Sequence, residues 1–297
     1  MTDSLSTSGL VVVDKPAGMT SHDVIARLRR ILGTRKVGHA GTLDPMATGV
    51  LVVGVERGTK FLAHLVATTK SYDATIRLGA ATTTDDAEGE TLRSTDASGV
   101  TDEAIIAGVA ALSGDILQRP AAVSAIKVDG RRAHERVRDG EEVVLPARPV
   151  TVSRFDVLDV RRTGRWVDLD VSVDCSSGTY IRSLARDLGE GLGVGGHLTA
   201  LRRTAVGEFR LDDALTLDEL ADAPRLSLNL DEALTRCYPT LELTTDEARD
   251  LAMGKWLPAR GLRGIHAGVS PEGRAVALVA EKGRRLATVF VARPSTL

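Results

Sequence analysis

Residues 167–189 read VDLDVSVDCSSGTYIRSLARDLG, and a change of period inside this stretch decides the fold class. Val167, Leu169, Val171 and Val173 alternate with Asp168, Asp170, Ser172 and Asp174, the period-two pattern of a strand with one buried and one wet face. After the turn signal Ser176-Ser177-Gly178, Ile181, Leu184 and Leu188 recur at helical spacing, with Arg182 and Arg186 four apart on one side. One-faced strands favour antiparallel or mixed pairing over a doubly wound parallel sheet. Strands and helices elsewhere do not alternate regularly, so the expected class is α+β with a mixed, largely antiparallel central sheet.

Toward the N-terminus, LVVVDKP (10–16) predicts a buried strand stopped by proline, and Thr20 to Asp23 supplies a capping pattern for a helix carrying Val24, Ile25, Leu28, Ile31 and Leu32. GVLVVGV (49–55) predicts a second strand. A third places Tyr72, Ala74, Ile76 and Leu78 on one face and Asp73, Thr75 and Arg77 on the other. Toward the C-terminus, the acidic stretch 211–237 reads as helices leading to a boundary near 240. Beyond it, RAVALVAEKGRRLATVFVA (274–292) predicts a hairpin with Lys282-Gly283 at its turn, in a small basic module of mostly β character. The expected organisation is a disordered start over 1–8, a main domain over 9–239 and a small domain over 240–297.

A chain of 297 residues, 43% hydrophobic, is long enough for about two domains with sizeable cores. It shows no basic-then-apolar leader and no run of the ~18 apolar residues a membrane span requires, so no membrane association and a cytoplasmic location are expected. Cys175 and Cys237 form no Cys-x-x-Cys pair and have no histidine at ligand spacing, which argues against a disulfide framework and against a metal site. The net charge of −2 conceals strong segregation. Arg27, Arg29, Arg30, Arg35 and Lys36 stand together without an acid; further basic blocks lie at 119–138 and 251–297; acids gather at 85–103 and 211–250. Such faces could meet a polyanion that the net charge hides.

Two glycine patterns fail on context. Gly191, Gly193 and Gly196 match the spacing of a dinucleotide fingerprint but follow a helix, where the fingerprint needs a strand, and GVERGTK (54–60) lacks the order of a phosphate-binding loop. The informative loop is GHAGTLDPMATGVL (38–51). It packs glycines, a histidine and an Asp-Pro just before a buried strand, and loops anchored by rigid strands commonly present functional groups.

That loop, with KPAGMTSHDVI (15–25), KSYDATIRLG (70–79), SAIKVDGRRAHERVRDGEEV (124–143) and CSSGTYIRSLARDLG (175–189), resembles the successive motifs of the TruB family of bacterial tRNA pseudouridine synthases, in order across roughly 9–210. The resemblance implies a pseudouridine synthase fold over 9–239, a PUA-like RNA-binding domain over 240–297, and isomerisation of uridine 55 in the T arm of tRNA. That reaction breaks the N1–C1′ bond, turns the uracil in place and rejoins it through C5, without net redox change, so no cofactor or metal is expected. The implied nucleophile is Asp44. Arg182 matches the arginine that pairs with it, keeping the carboxylate ionised and aimed. Tyr72 matches the tyrosine that stacks on the base and has been assigned a base role at C5. Tyr180 and Leu201 fall at further substrate-contacting positions, and His39 matches the histidine that helps hold the extruded nucleotide. Lys15 is expected either to support the active-site loop or to bind a phosphate, and Lys127 to belong to the loop that clamps the T-arm stem. A monomer acting on the tRNA T stem-loop is expected. The chain departs from the family at His134, where tyrosine is common, and at Val123, where tyrosine or phenylalanine is. Two other classes compete: a tRNA-binding or tRNA-folding protein without catalysis, against which the intact Asp44, Tyr72 and Arg182 set speaks, and a glycosidase, which would need a second carboxylate beside Asp44.

Overall fold

The computed structural model describes residues 6–65, 68–121, 127–128, 131–132 and 145–295. The chain divides into two compact units, Met1–Val66 with Ala205–Leu297, and Ala67–Thr204. Val123, His134 and the side chain of Lys127 lie outside the described residues; of the 124–143 motif, Lys127–Val128 and Arg131–Arg132 form a short antiparallel pair.

In the second unit the strand Trp166–Cys175 bears out the alternation on which the fold class rested. It lies antiparallel between Lys70–Leu78 and Arg148–Thr163, with Gly114–Gln118 at the far edge and Gly196–Val206 beside Lys70–Leu78. Register sets Val167, Leu169, Val171 and Val173 opposite Leu78, Ile76, Ala74 and Tyr72, so one face is apolar on both strands. Its wet face is ion-paired: Asp168 takes a bidentate Arg77 at 2.7 Å on both oxygens, Asp174 takes Arg154 at 2.7 Å, and Asp170 takes Arg161 and the Thr75 hydroxyl. Solvent screens pairs as exposed as these, so they fix register more than stability. The helix Ile181–Gly191 follows as expected. Of the failed dinucleotide pattern, Gly196 has a packing role with Gly189: a Cβ on Gly189 would lie 2.1 Å from the Gly196 nitrogen and one on Gly196 2.4 Å from the Ala185 carbonyl oxygen, so these two glycines let the chain double back from helix to strand.

The first unit is built on the antiparallel strands Gly9–Lys15 and Thr48–Val55, flanked by Val37–Ala40 and Leu228–Asn229. The uninterrupted run of Leu10 to Val13 reflects burial on both faces. Val11 and Val13 pack with Val24, Ile25 and Leu28 of the helix Ser21–Ile31, while Leu10 and Val12 pack with Phe61, Leu234, Leu278 and Phe290. Thr20 and Asp23 form the expected capping box. The C-terminal sheet shares this core: Arg57 donates through Nε to Ala292 O at 2.9 Å, Arg293 pairs with Asp231 at 2.6 Å, and the Tyr238 hydroxyl donates to His64 O at 2.8 Å. The hairpin Ala275–Lys282 and Arg285–Val291 is present, but Lys282 pairs with Arg285, so its turn is Gly283-Arg284 rather than Lys282-Gly283; Gly283, at φ 62°, takes the left-handed position. No helix of the described residues is long and apolar enough to cross a membrane.

Burial pushes the Cys175 thiol up to about 11 and the Cys237 thiol up to about 12. Because the thiolate is the nucleophile, native protein at pH 8 is expected to react with iodoacetamide at least about a hundredfold more slowly than after denaturation in urea, read by mass spectrometry.

Candidate active site

The Asp44 loop hangs between Val37–Ala40 and Thr48–Val55, with Gly41 at φ 84° and Gly49 at φ 100° permitting the tight path. Two buried polar residues hold it. Ser21, first residue of its helix and 2% exposed, accepts the Leu43 amide at 2.9 Å and donates to the Leu43 carbonyl at 3.2 Å. Lys15 is fully buried, and its Nζ donates to the carbonyls of Pro16 at 2.8 Å, Met19 at 2.6 Å and Pro45 at 3.3 Å. These bonds grip the chain immediately before and after Asp44, which is itself half-buried. Of the two roles expected of Lys15, these bonds are those of loop support. His39 stands on the strand entering the loop, its ring edge-on to that of His22 with centroids 5.6 Å apart.

Replacing Lys15 by methionine keeps the length of the side chain but strips three part-buried carbonyls, of Pro16, Met19 and Pro45, of a donor. An unsatisfied buried acceptor costs ~1–3 kcal/mol, and partial relaxation leaves an expected loss of about 3 kcal/mol in urea denaturation. A loss below about 1 kcal/mol would remove Lys15 as the anchor of this loop.

In the second unit Tyr72 is 7% exposed and points to the buried face of its strand, two positions after Lys70, itself 9% exposed. Burial, reinforced by the nearby Arg203 guanidinium, holds the Lys70 ammonium below the usual lysine range. Tyr180 is the N-cap residue of Ile181–Gly191, and its backbone is clamped at both ends by Gln118: the Tyr180 amide donates to Gln118 Oε1 at 2.8 Å and Gln118 Nε2 donates to the Tyr180 carbonyl at 3.1 Å. Leu201, 8% exposed, lies on Gly196–Val206.

Arg182 is 4% exposed, in the first turn of its helix, where the macrodipole disfavours a cation. Its compensation comes from the turn after Ala80–Thr82. Nη1 donates to the Thr84 carbonyl at 2.8 Å and lies 3.5 Å from Asp86 Oδ2. Asp86, 3% exposed, is fixed in turn by the Thr84 hydroxyl and by the Glu88 amide at 3.1 Å. One helical turn on, Arg186 reaches Asp85 at 3.1 Å, Asp187 at 2.8 Å and the Arg119 carbonyl at 2.7 Å. Burial raises the Asp85 carboxyl above the usual range despite the opposing pull of Arg186 and Arg182. Ser21, Asp86, Gln118, Lys70 and Arg203 were not singled out as site residues in the sequence. Asp86 lies in the acidic stretch 85–103, whose charge count alone does not single out one carboxylate.

Comparison with known proteins bears on the same segments. The model of the TruB family pseudouridylate synthase N-terminal domain matches residues 29–181, that of the tRNA pseudouridylate synthase B C-terminal domain matches 182–242, and that of tRNA pseudouridine synthase II, C-terminal, matches 238–293. The tRNA pseudouridine synthase B of Corynebacterium aurimucosum is 75% identical over 297 residues, covering all of both chains. That of Rhodococcus jostii is 61% identical, covering 98% of this chain and 95% of its own. Among solved structures, a Cbf5–Nop10–Gar1 complex matches with TM-score 0.74 at 26% identity, over 98% of this chain and 87% of the other. An H/ACA RNP bound to a substrate RNA containing 2′-deoxyuridine matches with TM-score 0.72 at 26% identity, over 98% and 86%.

Proposed function

The chain belongs to the TruB family of pseudouridylate synthases, and on that premise we propose that it isomerises uridine 55, in the T arm of tRNA, to pseudouridine. It is an isomerase with the pseudouridine synthase fold. We assign Asp44 as the nucleophile, Arg182 to keeping that carboxylate ionised, and Tyr72 to the face of the uracil and the proton at C5. Tyr180, Leu201 and His39 bind the extruded nucleotide, Lys127 binds the stem, and Lys15 acts through the loop it anchors. Residues 9–239 carry catalysis and 240–297 form a PUA-like RNA-binding domain; the enzyme works as a cytoplasmic monomer on the T stem-loop.

The observation that carries this reading is the Asp44 loop: a half-buried carboxylate on a backbone pinned on either side by Ser21 and Lys15 is held before substrate arrives. A nucleophile positioned in advance needs little reorganisation at the moment of reaction. The test is tritium release from a tRNA transcript labelled at C5 of its uridines. Wild type is expected to release label from one site, and none once position 55 is cytidine. Release at the same rate from the cytidine transcript would overturn the assignment of that position.

A further inference from the structure

Trp256 is one of two tryptophans in the chain and is 51% exposed. The other, Trp166, is used in packing, since its ring covers Gly79, where a Cβ would lie 2.8 Å from Trp166 Cε3. Trp256 has no such use. On the edge pair of the C-terminal sheet, Leu257 and Leu286 oppose each other and take the core positions, at 5% and 0% exposure. Trp256 therefore falls on the outer face together with Arg285, whose guanidinium carbon stands 4.4 Å from the ring centroid. Leaving a large indole half in water while two leucines fill the core gives up apolar burial for nothing in the fold.

The surroundings say what would cover it. Lys282, Arg284 and Arg285, together at the turn of the hairpin, have no carboxylate partner among the described residues. Most acids of the module are engaged away from Trp256: Asp246 with Arg249, Glu247 with Arg260, Asp250 with Lys255, Glu272 with the Ser270 hydroxyl, and Glu281 with the amides of Arg260 and Leu262. An exposed aromatic face, a guanidinium parked over it and a rim of unpaired cations are the elements by which proteins hold unpaired nucleobases: the ring stacks, the cations take the phosphates. A second copy of the chain is a poorer fit, because a stable interface buries more than ~1,000 Å² and like-charged rims would face each other. A duplex is also a poorer fit, because its base faces are already stacked.

We propose that Trp256 and Arg285 form a stacking site for a single-stranded stretch of RNA, outside the residues assigned to the isomerisation. The proposal rests on the reading of this chain as an RNA-modifying enzyme, but its test does not pass through turnover. With Trp166→Phe, Trp256 is the sole tryptophan reporter in the full-length protein. A short oligoadenylate, which carries no uridine to isomerise, is expected to quench its fluorescence saturably, while a blunt RNA duplex of equal phosphate number leaves it nearly unchanged. In the wild-type background, Trp256→Ala is expected to weaken binding of fluorescently labelled oligoadenylate by roughly tenfold, the loss of one stacked base, with Trp256→Phe recovering most of it. No quenching by oligoadenylate, equal quenching by the duplex, or quenching that follows protein concentration without RNA would each overturn the proposal, the last in favour of self-association. Failure of tritium release with quenching intact would count against the proposed activity and leave this site standing.

Discussion

Asp44→Asn is expected to lower tritium release from the 5-tritiated tRNA transcript by at least about four orders of magnitude while changing tRNA affinity only a few fold. The reasoning is local. The contacts that shape the loop run through the backbone of Leu43, Pro45 and Ala47, and Ala47 donates to the Asp44 carbonyl at 3.1 Å, so an isosteric amide leaves this framework in place. What changes is nucleophilicity and charge. Attack at C1′, attack at C6 and elimination through a glycal all call on a carboxylate, so the loss does not depend on which route operates. Equal release from both proteins would remove Asp44 as the nucleophile, and free uracil as a product would point to hydrolysis.

Elements with a short-range signature were legible in the sequence: the alternation at 167–174, the Thr20–Asp23 cap, the doubly buried run at 10–13 and the loop glycines around Asp44. The supports of the site were not, because they link residues remote in sequence. Asp86 and Arg182 meet across about a hundred positions, as do Asp85 and Arg186, and Gln118 clamps Tyr180 from 62 residues away. Arg182 and Arg186, spaced four apart, read equally well as a solvated helical side, and only the turn at 83–89 folding over them makes that side an interior. Lys15 shows the converse limit: its motif marked it, but its burial and its bonds to the carbonyls of Pro16, Met19 and Pro45 show only in the fold. The third tyrosine, Tyr238, lies outside the motifs and is a part-buried tie to the His64 carbonyl.

The turn at 83–89 sets two adjacent aspartates against each other, and their variants are expected to move stability in opposite directions. Asp86→Ala leaves the Arg182 guanidinium buried without the carboxylate 3.5 Å from it, and also frees the Thr84 hydroxyl and the Glu88 amide. Breaking one side of a buried pair costs ~3–5 kcal/mol, so the urea midpoint should fall steeply, and kcat should fall more than KM rises because the arginine is misplaced rather than the binding surface. A loss under about 1 kcal/mol would show that Asp86 does not hold Arg182. Asp85 sits in the other regime: burial outweighs Arg186 and raises its carboxyl, so the folded protein holds that proton more tightly than the unfolded chain does. Its favourable contribution is complete below the ordinary aspartate range and is lost as pH rises through the raised folded-state value. Asp85→Asn, which never ionises, should match wild type in urea denaturation at acid pH and equal or exceed it at neutral pH, the gap opening across that window. Asparagine also tolerates the left-handed backbone at this position, φ 61°, so the substitution tests the charge without adding strain. A variant that falls behind wild type as pH rises would mean that the Arg186 pair, and not desolvation, governs this carboxylate.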